Sequence, residues 1–316
     1  MRMSAYPELA GKSQHVAFDC EEAALALAEA KGETARRLGI DMSLLWSAIG
    51  VAIIVYVVAT AALYLFQDRL ILPPAPRATA LQVGSHGDLQ VQPWQSNGRF
   101  AGYVINPANQ SPHGTVAIYH GNAESAEDKL RLASVFVHAG YRALLVEYPG
   151  YGRREGARTM KAALAASRSA LSDANAQWAG PIFLVGESLG AGMAAQAISG
   201  QESSVAGVLL ITPWDSLASV AAERLTWFPV RWILHDPFDS VDALKRFEGP
   251  VVVIGAADDT VIPVTHAERL ARLHPHAQFL SLPNASHDSW FDAMTAENWQ
   301  MVLNWMQRRM SASSSK

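Results

Sequence analysis

The chain has 316 residues, half of them apolar and 17% charged, with a net charge of −4 and one cysteine, Cys20. Against a usual charged share of about 25%, this excludes a disordered polar chain. The lone cysteine excludes an internal disulfide framework, a thiolate zinc cluster and a CxxC redox pair, and the mildly acidic balance (pI about 6.2) leaves no overall basic footprint for nucleic acid.

The first 42 residues read as a polar leader with a helix over Glu21 to Arg37, rich in Ala and Glu. From Ser43 to Gln67 no residue is charged, and the centre is Ile53-Ile54-Val55-Tyr56-Val57-Val58. At about 1.5 Å per residue such a helix exceeds a hydrocarbon core of about 30 Å. Trp46 and Tyr64 stand near its ends, where amphipathic rings favour the interface. The expectation is a single-pass membrane anchor over 43–67. Lys31, Arg36 and Arg37 precede it, and Arg69 and Arg77 follow, which favours the bulk of the chain on the non-cytoplasmic side. The abrupt change at Met42 also suggests that Met42 is the true start, a reading that removes those three leading charges.

Beyond the linker Asp68–Arg77, two alternating segments near Leu89–Trp94 and Phe100–Ile105, separated by Ser96-Asn97-Gly98, predict a hairpin. Short apolar runs follow at Thr115–Tyr119, Arg142–Val146, Ile182–Val185, Gly207–Ile211, Val251–Ile254 and Gln278–Leu282, as expected of strands buried on both faces. Helices fit between them: one opened by Ser125 and ended by Gly140, one with a capping box at Thr265-His266-Ala267-Glu268, and a closing helix striped by Trp299, Val302, Leu303 and Met306. An antiparallel start followed by strand–helix alternation predicts a mostly parallel sheet covered on both faces, over 68–310, with a disordered tail at 311–316.

Gly186-Glu187-Ser188-Leu189-Gly190 is a GxSxG motif between the strand Pro181–Val185 and a helix of small residues. A strand-to-helix turn this sharp strains the Ser backbone and projects its hydroxyl at the top of the sheet. Ser188 is the candidate nucleophile and needs a base. His287, just after the last strand, fits that role. His266 falls inside a predicted helix, and His274 and His276 flank Pro275 in a surface loop. The acid belongs after Val251–Ile254, where Asp258 and Asp259 are adjacent. One of two consecutive residues points inward, and Asp259 is favoured over Asp258. The oxyanion donors expected are the backbone N–H groups of Leu189 and Asn122, the latter in His120-Gly121-Asn122-Ala123. His120 is read as bracing that loop. The segment 214–249 links two core strands as a small cap, and Trp214, Trp227, Phe228 and Trp232 within it are candidates either for an acyl pocket or for packing within the cap.

These motifs resemble the serine hydrolases of the α/β-hydrolase superfamily and, more narrowly, the membrane-anchored Bem46-like group (ABHD13/ABHD17-type). The resemblance covers roughly Leu63 to Met310. It rests on Phe66-Gln67-Asp68-Arg69 with Pro73, His120–Ala123, Glu147-Tyr148-Pro149-Gly150-Tyr151-Gly152, Gly186–Gly190, Thr212–Leu217, Trp227-Phe228-Pro229-Val230, Asp259-Thr260-Val261-Ile262-Pro263 and His287. Two departures, Glu124-Ser125 for a Gly-Asn-like pair and Arg154 for a Ser, are expected at the mouth of the site. The resemblance implies hydrolysis of a small-molecule or lipid-like acyl substrate through an acyl-enzyme, with no cofactor, no metal and no nucleic acid partner. The same three side chains serve esters, thioesters and amides. A rival class is a non-catalytic, membrane-tethered scaffold on the same fold.

Overall fold

The computed structural model describes residues 41–74, 84–86, 89–108 and 110–313. The leader helix expected over Glu21–Arg37, and residues 314–316 of the tail, lie outside them.

The chain divides into two units, Met1–Ala61 and Ala62–Lys316. The first contributes most of helix α1 (Met42–Ile71), 30 residues long. Asp41 caps its start, its carboxylate accepting from the Ser43 N–H at 2.9 Å. Within the apolar run, the hydroxyls of Ser47 and Thr60 donate to the carbonyls of Ser43 and Tyr56, both at 2.8 Å. No polar group of either side chain is thereby left for solvent to satisfy. Leu44, Ile53, Ile54, Val57 and Val58 are exposed. The helix is long and apolar enough to cross a membrane.

It also runs four residues past the expected end at Gln67, because its last turns, within the second unit, are part of that unit. The Gln67 side chain donates to Ile233 O at 3.1 Å and accepts from the His235 N–H at 2.8 Å. Asp68 accepts from the Met160 N–H at 3.0 Å. These bonds hold as helix what the sequence suggests is linker.

The second unit is built on a sheet in the order β1-β2-β3-β5-β4-β6-β7-β8-β9. Strands β1 (Gly84–His86), β2 (Leu89–Ser96) and β3 (Arg99–Ile105) are antiparallel. The β2–β3 turn places Asn97 and Gly98 at φ 52° and 73°, the two left-handed residues a tight two-residue hairpin turn needs. Strands β4 (Thr115–Tyr119), β5 (Arg142–Val146), β6 (Ile182–Glu187), β7 (Gly207–Ile211), β8 (Val251–Ala256) and β9 (Ala277–Leu282) are parallel. Alternate residues feed two cores. Ala117, Tyr119, Leu184, Leu210 and Val253 face one side; Val116, Ile118, Val185, Leu209 and Ile254 face the other. This period of two is what lets near-continuous Val, Ile and Leu runs bury completely. The fold is that of an α/β-hydrolase.

β9 departs from the expectation of burial on both faces. It pairs only with β8, and most of its side chains are partly or fully exposed, as befits the edge strand. The helix after β8 is Val264–Leu273, with Pro263 at its N-cap and no side-chain cap. Thr265 therefore lies inside the first turn instead of capping it. Proline's fixed φ suits entry to a helix and supplants the capping box. The closing helix, Ala296–Ser313, runs past Met310 into the expected tail. At the other helix start Ser125 behaves as expected: its N–H and hydroxyl both donate to the Asp128 carboxylate, at 2.8 and 2.9 Å.

The order reverses at β4, which lies between β5 and β6. In open α/β sheets the crevice beyond the strands' carboxyl ends at such a reversal is where ligands sit. Tyr119 at the end of β4 is paired in register with Gly186 of β6. The loop carrying Asn122 therefore emerges beside the turn carrying Ser188.

Candidate active site

At the end of β6 the backbone turns into the helix Leu189–Ile198 through Ser188, which sits at φ 53°, ψ −116°. For a residue with a Cβ this strained conformation costs on the order of 1–3 kcal/mol. The surroundings over-determine it. The Ser188 N–H donates to Ile211 O at 2.9 Å. The flanking glycines permit the sharp turn: a Cβ on Gly186 would lie 2.2 Å from Gly190 O, and one on Gly190 would lie 2.1 Å from Tyr119 O.

The structure brings Ser188, His287 and Asp259 together. His287 Nε2 lies 2.9 Å from Ser188 Oγ, and His287 Nδ1 lies 2.7 Å from Asp259 Oδ2. With the carboxylate accepting at Nδ1, the proton belongs on that nitrogen and Nε2 faces the hydroxyl as an acceptor. Asp259 is itself oriented by the N–H groups of Val261 and Ile262, which donate to its Oδ1 at 2.8 Å each. Asp258 faces solvent, and its N–H donates to Ala285 O at 2.8 Å. Burial works against charging His287. The bonded Asp259 carboxylate, with Asp288 and Glu187 nearby, outweighs it and holds the imidazole above its ordinary value of 6.5.

Ser188, His287, Leu189 and Asn122 line one cavity of about 380 Å³. Among the described residues, no hydrogen-bond acceptor meets the backbone N–H of Leu189 or of Asn122. The neighbouring Gly121 N–H is taken by Glu124 Oε2 at 2.7 Å. One wall is aliphatic, made by Ile71 from the end of α1, Leu217 and Val220 from the cap, and Val261 and Ile262 beside Asp259, while the carboxylates of Glu124, Glu187 and Asp288 also line the cavity.

Of the four cap aromatics read as pocket or cap packing, Trp214 alone lines the cavity. Trp227, in the turn between the cap helices Leu217–Arg224 and Val230–Ile233, and Trp232, on the outer side of the second of these, are 86% and 90% exposed. Arg154 is also elsewhere. It donates to Glu147 O at 2.6 Å and borders a separate cavity beside the β2–β3 turn. Glu124, by contrast, is at the mouth of the Ser188 cavity. His120 is fully buried and braces its loop as expected. Its Nδ1 is 2.9 Å from Gly121 O and its Nε2 2.9 Å from Glu147 Oε1, while Tyr148 donates to its carbonyl at 3.1 Å.

Two features escaped the sequence. One is a chain of charges beside the cavity, formed by Glu124, Lys129 and Glu187, in which Glu187 is 58 residues from Lys129 and no motif links them. The other is buried His266, whose Nδ1 lies 2.7 Å from Asp215, with Arg269 on the same carboxylate at 2.8 Å. That cluster ties the loop after β7 to the helix Val264–Leu273.

Comparison with known proteins agrees with the fold. A family model described as serine aminopeptidase, S33, matches residues 110–235, a stretch that includes Asn122 and Ser188 and ends before Asp259 and His287. The chain is 29% identical over 246 residues to the uncharacterized protein Rv2307c of Mycobacterium tuberculosis, covering 75% of this chain and 87% of that protein. It is 24% identical over 198 residues to the lysophosphatidylserine lipase ABHD12 of Danio rerio, covering 54% and 50% of the two chains. Among solved structures, the Pyrococcus furiosus esterase Pf2001 superposes with a TM-score of 0.59 at 17% identity, over 76% of this chain and 98% of that one.

Proposed function

We propose that this chain is a membrane-anchored serine hydrolase that cleaves a carboxylic ester or acyl thioester through an acyl-enzyme. The observation that carries the reading is the Ser188–His287–Asp259 arrangement, at 2.9 and 2.7 Å, on a strained strand-to-helix turn facing a cavity with one aliphatic wall. Ser188 Oγ attacks the acyl carbonyl while His287 Nε2 takes its proton. Asp259 keeps the imidazole oriented and stabilises the imidazolium that forms. The N–H groups of Leu189 and Asn122 receive the oxyanion, each donor being worth about 10²–10³ in kcat. His287 returns the proton to the leaving oxygen or sulfur, then activates water to release the acyl group. The aliphatic wall supports an acyl chain, at about 0.8 kcal/mol per CH₂ buried.

Anchoring by α1 is supported by its length, about 45 Å at 1.5 Å per residue, and by its exposed apolar side chains. The same motifs support membership of the Bem46-like group. The serine aminopeptidase match favours a second reading, amide hydrolysis by the same residues. Purified enzyme assayed on p-nitrophenyl butyrate and on aminoacyl p-nitroanilides separates the two. Ester turnover that disappears in Ser188→Ala supports the first reading. Turnover of the anilides alone supports the second, and turnover surviving Ser188→Ala defeats both.

A further inference from the structure

We infer that Glu124 is a positioning residue for the oxyanion-binding loop, acting through the Gly121 N–H and held in place by Lys129. The inference rests on the Ser188 reading and deepens it.

Glu124 uses both carboxylate oxygens. Oε2 accepts from the Gly121 N–H at 2.7 Å, and Oε1 accepts from Lys129 Nζ at 2.8 Å. The carboxylate packs close over Gly121: a Cβ there would fall 2.7 Å from that same Oε2 and push it aside. Lys129 is buried and also donates to Glu187 Oε2 at 2.6 Å. Glu187 Oε1 in turn accepts from Trp290 Nε1 at 2.8 Å. The chain of bonds thus joins the loop of Asn122, the residue immediately before Ser188, and the residue three beyond His287. Burial opposes the charge on Lys129, but its two carboxylate partners outweigh that and keep the ammonium protonated.

Stability alone does not account for such a network. Replacing buried ion groups by apolar ones of similar volume is often neutral or stabilising. What the network does supply is direction. Gly121 and Asn122, whose N–H groups are consecutive, both line the cavity. Glu124 claims the first, and Ala123 at φ 55° turns the loop so that the second is left for the oxyanion. Without the carboxylate, the loop loses its tie to the turn that bears the nucleophile. A misplacement of about 1 Å is enough to cost on the order of 10²-fold in rate.

The test compares wild type, Glu124→Ala and Glu124→Gln as full-length protein in detergent, measuring kcat and KM on p-nitrophenyl butyrate, inactivation by a fluorophosphonate, and the thermal midpoint. Glu124→Ala is expected to lose about 10²-fold in kcat with KM within about threefold, and to slow inactivation in parallel. Glu124→Gln, whose amide oxygen still accepts from Gly121, recovers at least tenfold of that loss. Should Glu124→Ala fail to fold, Glu124→Met, which keeps bulk but accepts nothing, replaces it with the same expectation. A folded Glu124→Ala or Glu124→Met with wild-type kcat overturns the inference, as does a Gln variant no better than Ala. Wild-type protein inert to both ester and fluorophosphonate overturns the Ser188 reading and the inference together.

Discussion

Gly190 offers a test of how tightly the turn around Ser188 is built. In an ordinary helix, Gly→Ala stabilises by about 1 kcal/mol, because alanine restricts the unfolded chain more. Gly190 is the second residue of helix Leu189–Ile198, so propensity alone predicts a gain. The structure predicts the opposite. A Cβ there would lie 2.1 Å from Tyr119 O, 2.6 Å from Tyr119 C and 2.7 Å from His120 O. All three are backbone atoms at the end of β4, so no flexible side chain can swing aside. Helix and strand must separate by about 1 Å, and forced overpacking of this kind costs about 1–3 kcal/mol, occasionally more. With no soft neighbour the cost falls at the upper end, and the net loss after the propensity gain is about 2 kcal/mol. For a domain of this size that is a fall in Tm of roughly 4–8 °C. Because Leu189 and Asn122 lie on the two elements forced apart, kcat should fall by on the order of 10²-fold as well. Thermal unfolding with parallel ester assays reads both. A Gly190→Ala protein that is stabilised, or that keeps wild-type Tm and kcat, refutes the reasoning.

Three further outcomes are expected. His287 must be neutral to accept the Ser188 proton, and its imidazole is held above 6.5, so kcat/KM should fall as pH drops through an apparent pKa above that value; a profile flat to pH 5.5 contradicts this. Asp259→Asn should cost about 10⁴-fold in kcat, since the amide cannot hold the same tautomer, while Asp258→Asn, at the solvent-facing neighbour, should stay within about threefold; the reverse ranking would move the acid to Asp258. On p-nitrophenyl esters from C2 to C12, below micelle-forming concentrations, kcat/KM should rise by at most about tenfold per two methylenes until the cavity of about 380 Å³ is full; a steady fall from C2 upward would show a site for short acyl groups only.

Much of the fold is legible in the sequence because parallel strands buried on both faces must be continuous runs of Val, Ile and Leu. The candidate nucleophile and base are legible because a GxSxG turn has few structural uses between a strand and a helix of small residues. What was hidden has physical reasons. An edge strand such as Ala277–Leu282 carries the same residue types as a central one, and only its missing neighbour distinguishes it. The end of α1 is fixed by tertiary bonds from Gln67 and Asp68 that override the local signal of charge. Trp227 and Trp232 read as pocket or packing residues by type alone, yet both are exposed on the cap. Glu124 is legible as a departure at the site, but its link through Lys129 to Glu187 appears only once β4 and β6 lie side by side.

The central claim is that Ser188 is a nucleophile activated by His287. Incubation with a fluorophosphonate, followed by peptide mass spectrometry, tests it most directly. The account predicts one adduct, on the peptide containing Ser188, forming at least about 10³-fold more slowly in His287→Ala. A folded protein that forms no adduct, or an adduct on Ser188 whose rate is indifferent to His287→Ala, would contradict it.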